Sequence, residues 1–567
     1  MLFPKPLKKA FRKSKKIFFK ASSKRKLIYE FHWREILKSD SSRWNQFRKS
    51  AKNGPKILVA TSTGGHFAST SLESLLAIAL TLRGADVHFF LCDRFLPACL
   101  QSISTSFPDL TEFANYGPSV SLCDSCFYPG HKLYRELGLP IHAYSKLVSK
   151  KENLKVSDLS RSIPIDSIAN YRDNGVAAGE HSLAGALRFY ACGSLEGERY
   201  AETILRRYFK AALLTVYATR NLFSQVHYDC TLFNHGIYVP QGLIGEVARH
   251  NGIRIVNWAT AYRKKCFLFS HGDTYHHTMM TEPVERWENL FWKPEIESQL
   301  MDYLKSRWHG TQDWIWFHEK PQFDLVDISS ELGIDFSKPC IGMLTNVMWD
   351  AQLHYPANAF SNMLEWVLKT ITYFAGRPEL QLLIRVHPAE IRGIIPSRQP
   401  LVNEIKKAFP VIPKNIFIIP PESQISTYAA MLQCNCVIIY GTKTGVELTS
   451  MGIPVIVAGE AWIRNKGITR DASSVEEYLS ILDQLPLGSK LADDNILRAR
   501  KYAYHFFFRR MIPLEFMEPF KNLYKPKLTS LDELTPGKSK GLDVICNGIL
   551  NGSNFIFPAE HEMEAKL

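Results

Sequence analysis

No stretch of this 567-residue chain stays apolar for the roughly 18–20 residues that a helix needs to cross a bilayer. The longest candidate, LLAIALTL at 75–82, falls inside a soluble helix pattern. The N-terminus lacks an apolar core followed by a cleavage site, so no secretory leader is expected. From these absences a cytosolic location is expected. Acids are missing from the first 26 positions, where eleven Lys or Arg interleave with Phe11, Ile17, Phe18 and Phe19. Such a basic amphipathic segment can lie on an anionic membrane face, each charge adding about 1 kcal/mol. It can equally be a solubilising arm. The uneven net charge of +14 does not point to nucleic acid, because it is confined to one tail and no recognition motif follows.

A disulfide framework is also lacking. Eleven cysteines, an odd number scattered through a long chain, read as reduced thiols. Cys123 and Cys126 form a single C-x-x-C, and no second pair at metal spacing accompanies it, so no metal is expected. The fingerprint G-x-G-x-x-G is absent from the first βα turn, which argues against a dinucleotide site there.

What the chain does have is two sets of alternating strand and helix patterns. With 46% hydrophobic and 22% charged residues it is an ordinary globular protein, long enough for roughly two to four domains. After a basic arm (1–52), KILVATSTGGHFAST (56–70) opens a βαβ unit, and CTLFNHGIYVPQG (230–242) restores the pattern after a mostly helical stretch. A first Rossmann-like domain is expected over 53–330. A second, over 331–500, carries strands at CIGMLTNV (340–347), QLLIRVHPAE (381–390) and NIFIIPP (415–421). Residues 496–525 read as one long aromatic-basic helix that returns to the first domain, within a terminal region of 501–567. Beyond 525 an irregular strap is expected.

The stretch VIIYGTKTGVELTSMGIPVIV (437–457) carries the chemistry in this reading. A strand ends in the turn Gly441, Thr442, Lys443, Thr444, Gly445, and a helix follows, whose mouth attracts phosphate. Glu447, in its first turn, is placed to accept ribose or sugar hydroxyls. Thr345, Asn346 and Pro388 stand at or near other loop tips of this half, and Arg385, His387, Arg464 and Lys466 with Lys443 form a set of four fixed cations and one imidazole suited to a nucleotide phosphate. In the first half the tips present His66 and His235, able to take a proton. The segment 261–325 is dense in polar and aromatic residues. Asp273, Tyr275 and His277 there suit an acceptor sugar, although the same composition would serve a packed lid.

RVHPAE (385–390), NIFIIPP and the run 425–469 resemble the C-terminal half of bacterial capsular polysaccharide biosynthesis proteins. TNVMWDAQ (345–352), FNHGIYVPQG (233–242) and SHGDTYHH (270–277) are similar to segments of the same group. The likeness spans roughly 56–500. It implies a GT-B-like architecture, two Rossmann-like domains facing across a cleft without a D-x-D metal requirement. It also implies transfer of sugars, Kdo among them, from nucleotide donors to a cell-surface polysaccharide or its lipid-linked precursor. No cofactor is implied beyond the nucleotide-sugar co-substrate, CMP- or UDP-linked. His387 matches the histidine that HP-bearing relatives keep near the nucleotide phosphate, and Glu447 the glutamate used on the ribose or donor sugar. His66 sits where several inverting GT-B enzymes carry a base. The acidic D/E-D/E-G motif of the sialyltransferase relatives is not recognisable here. An epimerase or polyol-phosphate transferase of similar build, and a non-catalytic polysaccharide assembly or export factor, are the alternatives. The enzyme is expected on the inner face of the cell membrane through residues 1–26.

Overall fold

The computed structural model describes residues 33–107, 109–314, 320–350, 357–488, 490–520 and 523–561. The basic segment 1–26, with its expected membrane contact, lies outside them. No described helix is long and apolar enough to cross a membrane.

Runs of Val, Ile, Leu and Phe build two separate sheets. The first contains β1 (Lys56–Ser62), β2 (Asp86–Leu91), β3 (Ile141–Ala143), β4 (Cys230–Asn234), β5 (Arg254–Thr260) and β6 (Cys266–His271). Their order is β3-β2-β1-β4-β5-β6, parallel up to β5, with β6 antiparallel to it. The second contains β7 (Cys340–Leu344), β8 (Gln381–Arg385), β9 (Ile416–Ile419), β10 (Cys436–Ile439), β11 (Val455–Val457) and β12 (Arg470–Asp471). Its order is β9-β8-β7-β10-β11-β12, and every pairing is parallel. Strands buried on both faces favour near-continuous apolar runs, and β7, β8 and β10 are buried throughout, with the polar ends of β8, Gln381 and Arg385, hydrogen-bonded. Both halves are Rossmann-like. In each, the chain starts at a central strand, winds outward one way, then crosses to the other side.

All sixteen residues of the helix Phe67–Leu82 are buried. An amphipathic helix cannot achieve that against a single sheet, so a further layer must cover its outer face. The helices Trp33–Ser39 and Ser41–Ala51 supply part of it, with Trp33 Nε1 donating to Ser74 Oγ at 2.8 Å. The helix Lys540–Asn551 supplies more, its Asp543 pairing with Arg83 at 2.5 Å. That last helix corrects the expected irregular strap. Leu542, Ile545, Cys546 and Ile549 recur on one helical face and are buried, Ser539 caps the start, and Gly552 ends it in a left-handed conformation.

The expected long helix over 496–525 is also corrected. The helix Asp493–Tyr504 passes into a π turn at His505–Arg509, followed by the short strand β13 (Ile512–Pro513). Phe506, Phe507 and Phe508 are all buried. Three consecutive positions span most of a helix's circumference, so the chain widens to seat them and stops ahead of Pro513. β13 pairs antiparallel with β6 and so adds an edge strand to the first sheet.

Candidate functional site

In open α/β sheets, ligands bind beyond the carboxyl ends of the strands, where the winding reverses. The first sheet reverses between β1 and β4. The loop after β1 carries His66 and the loop after β4 carries His235. The second sheet reverses between β7 and β10, where the loops carry Thr345–Asn346 and Gly441–Thr444, with His387 after the adjacent β8. The two reversals meet: Tyr238 Oη, beyond β4, donates to Asp350, beyond β7, at 2.9 Å.

The first-half loops are held tightly. His235 and Gly236 both take left-handed φ, of 64° and 79°. This conformation costs a histidine energy, and the bond from its N–H to Trp258 O (2.9 Å) helps hold it. Gly64 packs backbone to backbone on the helix Val120–Glu136. A Cβ there would come 2.5 Å from Cys126 O. Gly64→Ala is therefore expected to push the His66 loop off that helix and lower the thermal midpoint by several degrees, readable by calorimetry.

Three imidazoles converge. His235 stacks on Tyr238 at 5.3 Å and meets His276 edge-on at 6.2 Å, while His276 lies 5.5 Å from Trp462 of the second half. Burial lowers the pKa of His66 to about 4, helped by the charges of Arg188 and His235. Burial lowers His276 to about 3 and shifts His235 downward too. All three are neutral at pH 7. His66 Nδ1 is bonded to Ser69 Oγ. In the second half, His387 Nδ1 accepts the Ala389 N–H at 3.1 Å, and the His387 backbone N–H donates to Thr345 Oγ1 at 3.2 Å. Asn346 Oδ1 is buried with no hydrogen-bond partner among the described residues. Pro388 lies at the start of the turn Ala389–Arg392.

The cationic phosphate pocket is corrected. Arg385 is 2% exposed and gives its guanidinium to Pro420 O (2.6 Å), Ser423 O and Thr427 Oγ1. Arg464 is buried on Gly459 O, Ala472 O and Ser473 Oγ. Lys466 is buried on Met280 O at 2.7 Å, and burial lowers its pKa to about 8. Each ties loops together, because buried carbonyls need donors. Lys443 is bound to Glu447 at 2.8 Å and lies 4.7 Å over the Tyr262 ring. Glu447 is fully buried and corrects the expected ribose ligand. It contacts Arg307 at 3.2 Å and accepts from Tyr428 Oη. Burial opposes its ionisation, but Arg307 and Lys443 outweigh burial and hold its pKa at about 2. The helix opened by Thr444 and Gly445 has only seven residues, so its dipole contributes little.

The acceptor residues are largely spent on each other. Asp273 pairs with His277 at 2.9 Å and Arg249 at 3.4 Å, and Thr274 caps the helix Tyr275–Met280. Tyr275 opens that helix, while its neighbour His276 turns toward His235. Sequence patterns missed His276 as the member of TYHH that joins the site, and missed Arg188, a helix cation with no local signal. The C-x-x-C has company the spacing did not reveal. Cys92, Cys99, Cys123 and Cys126 line a small cavity with Thr63, and Cys126 Sγ accepts the Gly65 N–H at 3.1 Å. Burial pushes the Cys92 thiol up to about 12 and keeps it protonated. No group of three or more metal-ligating side chains is placed to hold an ion among the described residues.

Behind the site, Glu73 is fully buried with three neutral donors. Trp258 Nε1 reaches it at 3.0 Å, Tyr134 Oη at 3.3 Å, and Thr61 Oγ1 completes the set while accepting the Asn234 N–H at 2.8 Å. Burial raises its pKa to about 7. A carboxyl with a raised folded pKa stabilises the fold most below its unfolded value near 4.5, and that contribution is lost as pH rises toward 7. Glu73→Gln is expected to flatten this slope and to be the more stable protein at pH 8, measured by denaturant midpoints.

No family model matches the chain, and no curated protein matches it. Solved structures overlap it in part. A Kdo transferase, the beta Kdo 2,4 transferase KpsC of Thermosulfurimonas dismutans, has 13% identity, covers 48% of this chain and 79% of its own, and gives a TM-score of 0.32. UDP-GlcNAc 2-epimerase of Neisseria meningitidis has 12% identity, 79% and 98% coverage, and a TM-score of 0.25. Sucrose-phosphate synthase of Thermosynechococcus elongatus has 11% identity, 80% and 95% coverage, and 0.27. At such scores no residue role passes from them to this chain.

Proposed function

We propose that this chain is a GT-B-like glycosyltransferase that moves a sugar from a nucleotide-activated donor to a polysaccharide or glycolipid acceptor. The observation that supports it most is a pair of imidazoles beyond the strand ends of the two sheets, each with Nδ1 engaged by a neighbour and Nε2 left for substrate chemistry. His387 Nδ1 accepts a backbone N–H, so a neutral ring carries its proton on Nε2 and can donate to a departing phosphate oxygen. His66 Nδ1 is bonded to Ser69 Oγ, and the tautomer with its proton on Nδ1 leaves Nε2 to accept the acceptor hydroxyl's proton. The acceptor oxygen bonds to the anomeric carbon as the bond from that carbon to phosphate breaks. The hydroxyl proton passes to His66 Nε2, and the electron pair leaves with the phosphate. In this reading Asn346 and the amides of 441–444 orient the donor. Arg385, Arg464, Lys466 and Glu447 act only as the frame.

In this reading the donor is CMP- or UDP-linked, no metal takes part, and residues 1–26 hold the enzyme against an anionic membrane. A thermal-shift panel of CMP, UDP, GDP and CDP sugars is expected to stabilise the protein with one nucleotide class. Donor turnover is expected to require a glycan acceptor. Turnover of a nucleotide sugar with no acceptor present would make the protein an epimerase, and a panel with no shift at all would remove the transferase reading.

A further inference from the structure

The histidine cluster holds a fixed cation that no part of the proposed chemistry uses. Arg188 lies in the last turn of the helix Ala178–Tyr190 and is half-buried. Its Nη1 donates to Leu100 O at 2.7 Å, and its guanidinium lies 5.2 Å over the Tyr238 ring. That ring is also the one on which His235 stacks. The charge of Arg188 acts on both His66 and His235, lowering the pKa of each.

Other arginines in the surrounding frame are each tied to two or more polar groups. Arg307 has Asp313 and Glu447, while Arg385 and Arg464 each reach backbone carbonyls and a hydroxyl among the described residues. Arg188 differs. Of its five N–H donors, one bond to a carbonyl is made, and among the described residues no carboxylate pairs with it. A half-buried guanidinium is costly to leave without an anion, and its planar fork matches the two oxygens of a carboxylate or phosphate. Of the titratable groups around it, His66 and His235 are neutral, and Asp350, which accepts from Tyr238 Oη and favours the charged form of His235, forms no ion pair with Arg188 among the described residues.

We infer that Arg188 binds an oxyanion of the substrate, a phosphate or a sugar carboxylate, beside His66 and His235. This deepens the transferase reading and rests on the cluster as its site, but it is testable without turnover. A bound anion offsets the charge that Arg188 imposes, so both imidazoles should titrate at higher pH when the anion is present.

The experiment follows the two histidines by NMR in the full chain labelled at histidine, with resonances assigned through His66→Gln and His235→Gln. Inorganic phosphate serves as one probe and glucuronate as the other. Saturable movement of both resonances is expected in the wild type, with apparent affinity about tenfold or more weaker in Arg188→Met, the scale of one charge-assisted contact. Without any anion, Arg188→Met should itself raise both titration midpoints. Arg188→Lys, which keeps the charge but loses the fork, should bind with intermediate affinity and serves as the second variant should the first not fold. A response to phosphate alone assigns the site to the donor phosphate, and a response to glucuronate assigns it to a carboxylate-bearing sugar. Either supports the inference. It is overturned if neither probe moves the wild-type resonances, or if a folded Arg188 variant binds as tightly as the wild type. Transfer activity is scored separately, so an inactive protein that still binds the anion would sink the reaction and not this site.

Discussion

Replacing His66 by alanine is expected to slow single-turnover sugar transfer at pH 7 by about 10²–10⁴-fold, the range for loss of a general base. Donor affinity should change little, because the ring sits on the acceptor side. His387→Ala is expected to cost about 10²–10³-fold and to weaken donor binding as well, since a hydrogen bond to the leaving phosphate is lost. The pair of variants separates the roles: one rate constant falls alone, the other falls with donor affinity. The pH dependence carries the same sign as the geometry. A base with a pKa near 4 is deprotonated throughout the neutral range, so the wild-type rate should be flat from pH 6 to 8 and fall only as pH approaches that value. Near wild-type rates in both variants would remove His66 and His387 from the mechanism together.

The second large effect is on stability. Glu447→Ala is expected to cost about 3–5 kcal/mol, because it leaves Arg307 and Lys443 buried without their shared anion. Denaturant unfolding would show the loss. Glu447→Gln should recover part of it through the bonds to Lys443 and Tyr428. The pH window runs opposite to that of Glu73. The folded pKa of Glu447, about 2, lies below its ordinary 4.5, so its contribution is complete above 4.5 and lost as pH falls toward 2. Were Glu447→Ala to leave the midpoint unaltered and abolish nucleotide binding, the residue would be a ligand and not part of the frame.

The strand-turn-helix unit at 436–457 was legible because period and punctuation are local: an apolar run, two glycines, a helix and another apolar run. The same holds for β1, β4, β7 and β8, whose loop residues could be placed at strand ends before any coordinates. Side-chain partners were not legible. Arg307 lies 140 positions from the glutamate it neutralises, and Lys466 bonds to a carbonyl 186 positions away. No periodicity encodes such pairs. A cation at a loop tip therefore read as a ligand when it was a tie. The converse error hid Arg188, which looks like any helix charge until Tyr238 and His235 fold against it. The terminal helix Lys540–Asn551 escaped because it is short and its caps, Ser539 and Gly552, stand among other loop-forming residues.

β13 has a consequence for how the halves can move. The polypeptide passes from the first sheet to the second before β7, and back again through the helix Asp493–Tyr504 to β13. Arg498 meets Glu288 at 3.3 Å, and Arg500 meets Glu297, so the second passage is fastened to the first half along its length. A body on one tether can swivel about every axis, whereas one on two neighbouring tethers can only bend like a door. Any separation of the halves is limited by both tethers and by the cross-ties Arg307 to Glu447 and Lys466 to Met280 O. Cutting the chain after residue 330 would strip an edge from the front sheet, leaving a fragment prone to aggregate rather than a working half.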